Sequence, residues 1–160
     1  MSLSNAVALV TGGSGGLGAR ICSALAAEGV DIAVGFFHGA ARAQEVRDGI
    51  EALGRRSIAV SLDQTSPEAI DTAIAQVAGQ LGGLDILVNN AGMATGGHAI
   101  PLGDLEAFTP EIWDQMMAVN LRGPSLRLSE DLIMEQPCRR RNARFSLRSA
   151  YAKSQFGSLD

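Results

Sequence analysis

Thr11-Gly-Gly-Ser-Gly-Gly-Leu-Gly18 is the stretch of this 160-residue chain whose residue types and spacing point most directly to chemistry. It lies between a short apolar run, residues 6–10, and a segment with apolar residues at helical spacing. In that setting Gly12 permits a tight turn after a strand. Gly16 removes a Cβ where a diphosphate would approach the backbone, and Gly18 lets the following helix pack close to the strand. The helix start then presents free N–H groups and the positive end of its dipole to phosphate oxygens. Thr11, Gly12, Ser14, Gly16, Leu17 and Gly18 are therefore candidate contacts of a dinucleotide. A glycine-rich turn by itself signals little; the strand before it and the helix after it give this one its meaning.

The elements that must position this turn follow from periodicity. Residues 6–10 suit a strand buried on both faces. Leu17, Ile21 and Leu25 recur at helical spacing up to a stop at Gly29. Residues 30–34 form a second apolar run. Val46, Ile50 and Leu53 make the next helical stripe, ended by Gly54, and residues 58–62 a third strand. Ser66-Pro67-Glu68 starts a helix, with Ser66 as N-cap and Pro67 at the first helical position. Ile70, Ile74, Val77 and Leu81 are its apolar face. Residues 85–88 read as strand four, and Thr109-Pro110-Glu111 opens a helix carrying Ile112, Met116 and Val119. Alternating β and α elements with short connections predict an α/β fold. We expect a Rossmann-type, doubly wound parallel sheet in three α/β/α layers with right-handed crossovers.

Composition bounds the answer. Hydrophobic residues make up 46% of the chain and charged residues 19%, which is core-forming rather than disordered. A net charge of −4 argues against nucleic acid as the main partner. Cys22 and Cys138 have no CxxC spacing, so no disulfide framework or metal site is expected. No secretory leader or membrane-spanning run is evident, and the chain reads as cytoplasmic. The charge is uneven: residues 1–136 hold 7 basic and 16 acidic side chains, whereas residues 137–160 hold 6 basic and 1 acidic. We therefore separate a nucleotide-binding domain, residues 1–136, from an atypical basic tail, residues 137–160, where periodicity fades.

Three further motifs fall into order behind the glycine-rich turn. Asp63 follows strand three, Asn89-Asn90-Ala91-Gly92 follows strand four, and Asn120 lies in Val119-Asn120-Leu121-Arg122-Gly123. With this set, residues 3 to about 136 resemble the short-chain dehydrogenase/reductase family, and most closely its 3-oxoacyl-acyl-carrier-protein reductases. The resemblance implies an NAD(P)-dependent oxidoreductase that reduces a carbonyl by hydride transfer from NADPH. It implies that Asp63 contacts the adenine and that Asn89, Ala91 and Gly92 bind the cofactor. Asn120 would be the catalytic-helix asparagine, supporting a water in a proton relay. A small-molecule carbonyl or alcohol substrate and a homo-oligomer are the implied partners, with no nucleic acid and no membrane.

The end of strand two bears on the choice of cofactor. It reads Val34-Gly35-Phe36-Phe37-His38-Gly39, with no carboxylate to bond a ribose 2′-OH. His38 or Arg42 could meet a 2′-phosphate instead. This favours NADP(H) over NAD(H), although Gly15 stands where NADP-preferring relatives often carry Arg.

In the family a Ser, a Tyr and a Lys complete the chemistry as Y-x-x-x-K, the Lys lowering the pKa of the Tyr from the same helical face. Here the only Tyr is Tyr151 and the only Lys is Lys153, two residues on, and Gln155 occupies the i+4 position. An i, i+2 pair lies on nearly opposite helix faces. Tyr151 and Lys153 are thus doubtful catalytic residues, and the C-terminal part reads as missing or altered after the fourth or fifth βα unit. Strand four is then expected to be a bare edge. The adenine and pyrophosphate half of the site should persist, with little or no turnover. The alternative reading is a catalytically inactive, truncated member that only binds NADP(H) or associates with a homologue.

Overall fold

The computed structural model describes residues 3–93 and 106–126. Four parallel strands form one sheet: β1 (Val7–Val10), β2 (Asp31–Phe36), β3 (Ser57–Ser61) and β4 (Ile86–Val88). They lie in the order β3-β2-β1-β4. Val7 pairs with Asp31 across β1 and β2, Ile32 with Ser57 across β2 and β3, and Ala8 with Ile86 across β1 and β4. Between the strands run α1 (Gly16–Ala27), α2 (Ala40–Ala52) and α3 (Pro67–Leu81). After β4 come α4 (Pro110–Met117), a π-helical turn (Ala118–Arg122) and the short α5 (Gly123–Leu126). The expected α/β order and parallel sheet are present.

Alternation along the strands builds two cores. Ala8 and Val10 of β1 join Ile32 and Val34 of β2 and Ile86 and Val88 of β4 beneath α1 and α2. Val7 and Leu9 face the other way, with Ala33, Val60 and the α3 residues Ile70, Ala73, Ile74, Val77 and Leu81. Two helices on one face and one on the other make the three layers. The α3 stripe matches expectation in full. Ser66 caps the helix by accepting from the Ala69 N–H at 3.2 Å.

The stripe of α1 is out of phase with expectation, whereas that of α2 holds at Val46 and Ile50 and fails only at Leu53. The buried residues of α1 are Gly18, Cys22 and Ala26, while Ile21 and Leu25 only flank the core and Leu17 is 61% exposed. Gly18 abuts the Gly12 carbonyl, where no side chain fits, and the small Cys22 and Ala26 continue this contact line into the core, so the larger apolar residues lie on its shoulders. On α2, Ala43 and Ile50 are buried, whereas Leu53 follows the helix as its C-cap and is exposed. Strand two also begins at a charged residue. Asp31 is buried because its carboxylate accepts from Arg55 Nη2 at 2.6 Å and Arg56 Nε at 2.7 Å, and hydropathy alone does not show such a pairing.

Candidate functional site

The strand order leaves a crevice where the chain reverses direction. From β1 it winds outward through β2 to β3, then crosses back through α3 to β4 on the far side of β1. In open α/β sheets ligands bind at this switch point, outside the carboxyl ends of the strands. The glycine-rich turn leaves β1 there, and residues 89–92 leave β4 there. His38 follows β2 and Asp63 follows β3, so the topology brings the candidate residues to one edge of the sheet.

Thr11 ties the two exits together. It is fully buried, and its Oγ1 accepts from the Asn90 N–H at 3.1 Å and the Ala91 N–H at 2.9 Å. In return the Asn90 side-chain amide donates to Thr11 O at 2.9 Å and Gly12 O at 3.2 Å. Asn90 was not among the residues expected at the site. Its signal is the doubled Asn after a buried strand, since a side-chain amide there can bridge two carbonyls. Gly12 sits at φ +63°, the left-handed region expected of the turn. Gly18 packs against that turn rather than the strand: a Cβ there would overlap Gly12 O and lie 2.8 Å from Asn90 Nδ2. Ser14 is half-buried. Gly16 is exposed, and a Cβ on it would meet nothing within 4 Å.

The start of α1 differs from those of α3 and α4. Each of the latter two has a side-chain cap and an acid in its first turn. Glu68 is held below the usual carboxylate range by its own backbone N–H and by Ser66. Glu111 is held low by Thr109 and then by its own N–H. Both are lowered by hydrogen bonds donated at a helix start, where negative charge is favoured. At α1 the N-cap is Gly15, with no side-chain cap and no acid in the first turn. Its N–H groups are left for an anion from outside. At the exit of β4, Asn89 Oδ1 is buried with no hydrogen-bond partner among the described residues.

The other candidates lie around this centre. The Asp63 Oδ1 accepts from the Thr65 N–H and hydroxyl at 2.8 and 2.7 Å. His38 is exposed and packs on the Phe37 ring at a centroid distance of 4.2 Å, and Arg42 is exposed on the first turns of α2. That helix also starts at a glycine, Gly39, with neither side-chain cap nor acid in its first turn. Asn120 sits on the π-helical turn. Its Nδ2 donates to Met93 O at 2.8 Å and its Oδ1 accepts from the Met93 N–H at 2.9 Å, pinning the backbone just after Gly92. Met93 was not anticipated, because nothing local marks it. Tyr151, Lys153 and the whole basic tail lie outside the described residues. Among the described residues no group of His, Cys, Asp or Glu could hold a metal ion, and no helix is long and apolar enough to cross a membrane.

Known proteins share this arrangement. The family model for short chain dehydrogenase matches residues 6–134. The hydroxynaphthalene reductase of Aspergillus fumigatus is 38% identical over 122 residues, which cover 76% of this chain and 42% of that protein. The 3-oxoacyl-[acyl-carrier-protein] reductase FabG of Staphylococcus aureus is 34% identical over 116 residues, 72% of this chain and 45% of its own length. Among solved structures, a short chain dehydrogenase from Burkholderia cenocepacia in complex with NADP superposes with a TM-score of 0.73 at 42% identity, covering 85% of this chain and 52% of that one. A blue fluorescent protein from a metagenomic library, in complex with NADPH, gives a TM-score of 0.70 at 36% identity, over 84% of this chain and 52% of that one. This chain therefore spans about half the length of the relatives it matches.

Proposed function

The chain belongs to the short-chain dehydrogenase family, and on that premise we propose that it carries the dinucleotide-binding part of an oxidoreductase that uses NADP(H) to reduce a small-molecule carbonyl of the 3-oxoacyl type. The open start of α1 at the switch point carries this reading. The residues present fit a dinucleotide. The α1 N–H groups suit a pyrophosphate, Gly16 leaves its approach free of a Cβ, and Asn89 Oδ1 offers a buried acceptor for a ribose hydroxyl. Thr11, Gly12, Gly18, Ala91 and Gly92 shape this cradle, with Ser14 and Leu17 at its rim. When bound, the cofactor supplies the hydride.

The chain's own residues divide the remaining tasks. Asp63 holds the adenine end. His38, Arg42 and the uncapped start of α2 meet the 2′-phosphate, which is the basis for choosing NADP(H). Asn120 orders the backbone at Met93 beside the reacting end. Tyr151 and Lys153 are assigned no role, because their spacing does not place both on one helix face.

Titration of the full chain with NADPH and NADH, beside an NADPH-oxidation assay on a 3-oxoacyl thioester, tests this reading. We expect NADPH to bind about tenfold tighter than NADH. The double variant His38→Ala/Arg42→Ala should narrow that gap. Equal or tighter NADH binding would reject the 2′-phosphate assignment. Turnover supports the reductase, whereas binding without turnover limits the function to holding the nucleotide.

A further inference from the structure

Two segments of the site are joined by residues that lie at neither the cradle nor the adenine end. The Asp63 carboxylate, by accepting from the Thr65 N–H and hydroxyl, folds residues 63–65 into a tight local turn. Thr65 O in turn accepts from Arg122 Nη2 at 3.3 Å. The next residue, Gly123, is buried against the same loop. A Cβ there would stand 2.6 Å from Gln64 O and 2.9 Å from Gln64 Cβ. A backbone oxygen at that distance cannot be moved aside by a change of rotamer, so any side chain at 123 would push the loop and the helical turn apart. Three residues before Gly123, Asn120 grips Met93 through both its amide oxygen and its amide nitrogen. Contacts thus run without a break from Asp63 through residues 64–65, Arg122 and Gly123 to Asn120 and Met93. The turn that supplies Asn120 and Arg122 to these two neighbours, Ala118–Arg122, is π-helical.

We propose that Arg122 and Gly123 form a strut that locks the Asp63–Thr65 loop to the turn carrying Asn120, so that the adenine end and the Met93 backbone are set in place as one unit. Both are positioning residues. The strut rests on the dinucleotide reading for its purpose, but its mechanical part stands on the contacts alone.

Amide exchange of the full chain at single-residue resolution, without nucleotide, tests the mechanical part. In Gly123→Ala the Thr65 and Met93 N–H groups should both exchange about tenfold faster, with Ile32 and Ala33 in β2 unchanged. Arg122→Ala should move the same two amides less, and Arg122→Lys should restore them, since an ammonium can still donate to Thr65 O. If Gly123→Ala accelerates the β2 amides as well, the Arg122 pair decides. Faster exchange at Thr65 with Met93 at its wild-type rate in Arg122→Ala would overturn the strut. An NADPH titration tests its purpose: Gly123→Ala should weaken binding about fivefold. Unchanged affinity with both amides loosened would show that the strut does not serve the nucleotide. If the wild-type chain binds no NADPH, the dinucleotide reading fails, and the exchange data still decide the strut.

Discussion

Thr11 opens the glycine-rich motif in the sequence, and its position in that motif is legible there. The work of its hydroxyl is not, because the two N–H groups it receives come from residues 79 and 80 positions away. Met93 and the Asp31 pairing escape a sequence reading for the same reason, since each depends on a partner supplied by another element, whereas Asn90 leaves only the doubled Asn as its trace. Cys22 is a residue whose environment makes a clear prediction. Burial pushes its thiol from the usual value of 9.0 up to about 12, against a smaller opposing effect of its backbone hydrogen bond. The folded state therefore keeps the proton that the unfolded chain gives up. The contribution to stability is full below about pH 9 and falls as pH rises towards about 12. Denaturant midpoints measured between pH 8 and 11 should fall more steeply for the wild type than for Cys22→Ala. Peptide-mapped alkylation at pH 8 should leave Cys22 unmodified until denaturant is added. Rapid labelling in the native state would contradict this.

Among the elements, α3 was fully legible. It carries a serine cap, a proline at its first position and a stripe of large apolar residues, all local features. The phase of α1 was not, because its contact face is built from Gly18, Cys22 and Ala26, which a hydropathy pattern passes over. The π-helical turn has no sequence signature either, and the Gln64 and Met93 backbones that it and Gly123 meet come from distant parts of the chain. The close packing of α1 has a cost that can be measured. Gly18→Ala places a methyl group against Gly12 O and Asn90 Nδ2, neither of which can rotate away without breaking the turn. We expect a loss of at least about 2 kcal/mol in chemical denaturation together with loss of nucleotide binding. A variant as stable as wild type would show that α1 sits farther from the turn than described.

For the whole molecule, parallel winding places every strand exit on one edge, and this was legible from the βα alternation alone. The opposite edge has a different duty. There Asp31 holds Arg55 and Arg56, and the Arg56 guanidinium also donates to Leu81 O at 2.8 Å, so β2, β3 and α3 are latched together. Asp31→Ala should cost about 1–2 kcal/mol in a urea titration, because it removes the hydrogen bonds of the buried carboxylate while water partly solvates the Arg55 and Arg56 guanidinium groups left behind. Since the latch is remote from the cradle, NADPH affinity measured well below the melting temperature should not change. A coupled loss of affinity would show that the two edges communicate. The central claim is that residues 11–18 form a dinucleotide cradle, and the most direct test compares wild type with Gly16→Ala in an NADPH titration, with thermal melts in parallel. A Cβ at Gly16 meets no protein atom, so the account predicts an unchanged or slightly higher melting temperature and NADPH affinity at least about tenfold weaker. Wild-type affinity in Gly16→Ala, or no NADPH binding by the wild-type chain, would contradict it.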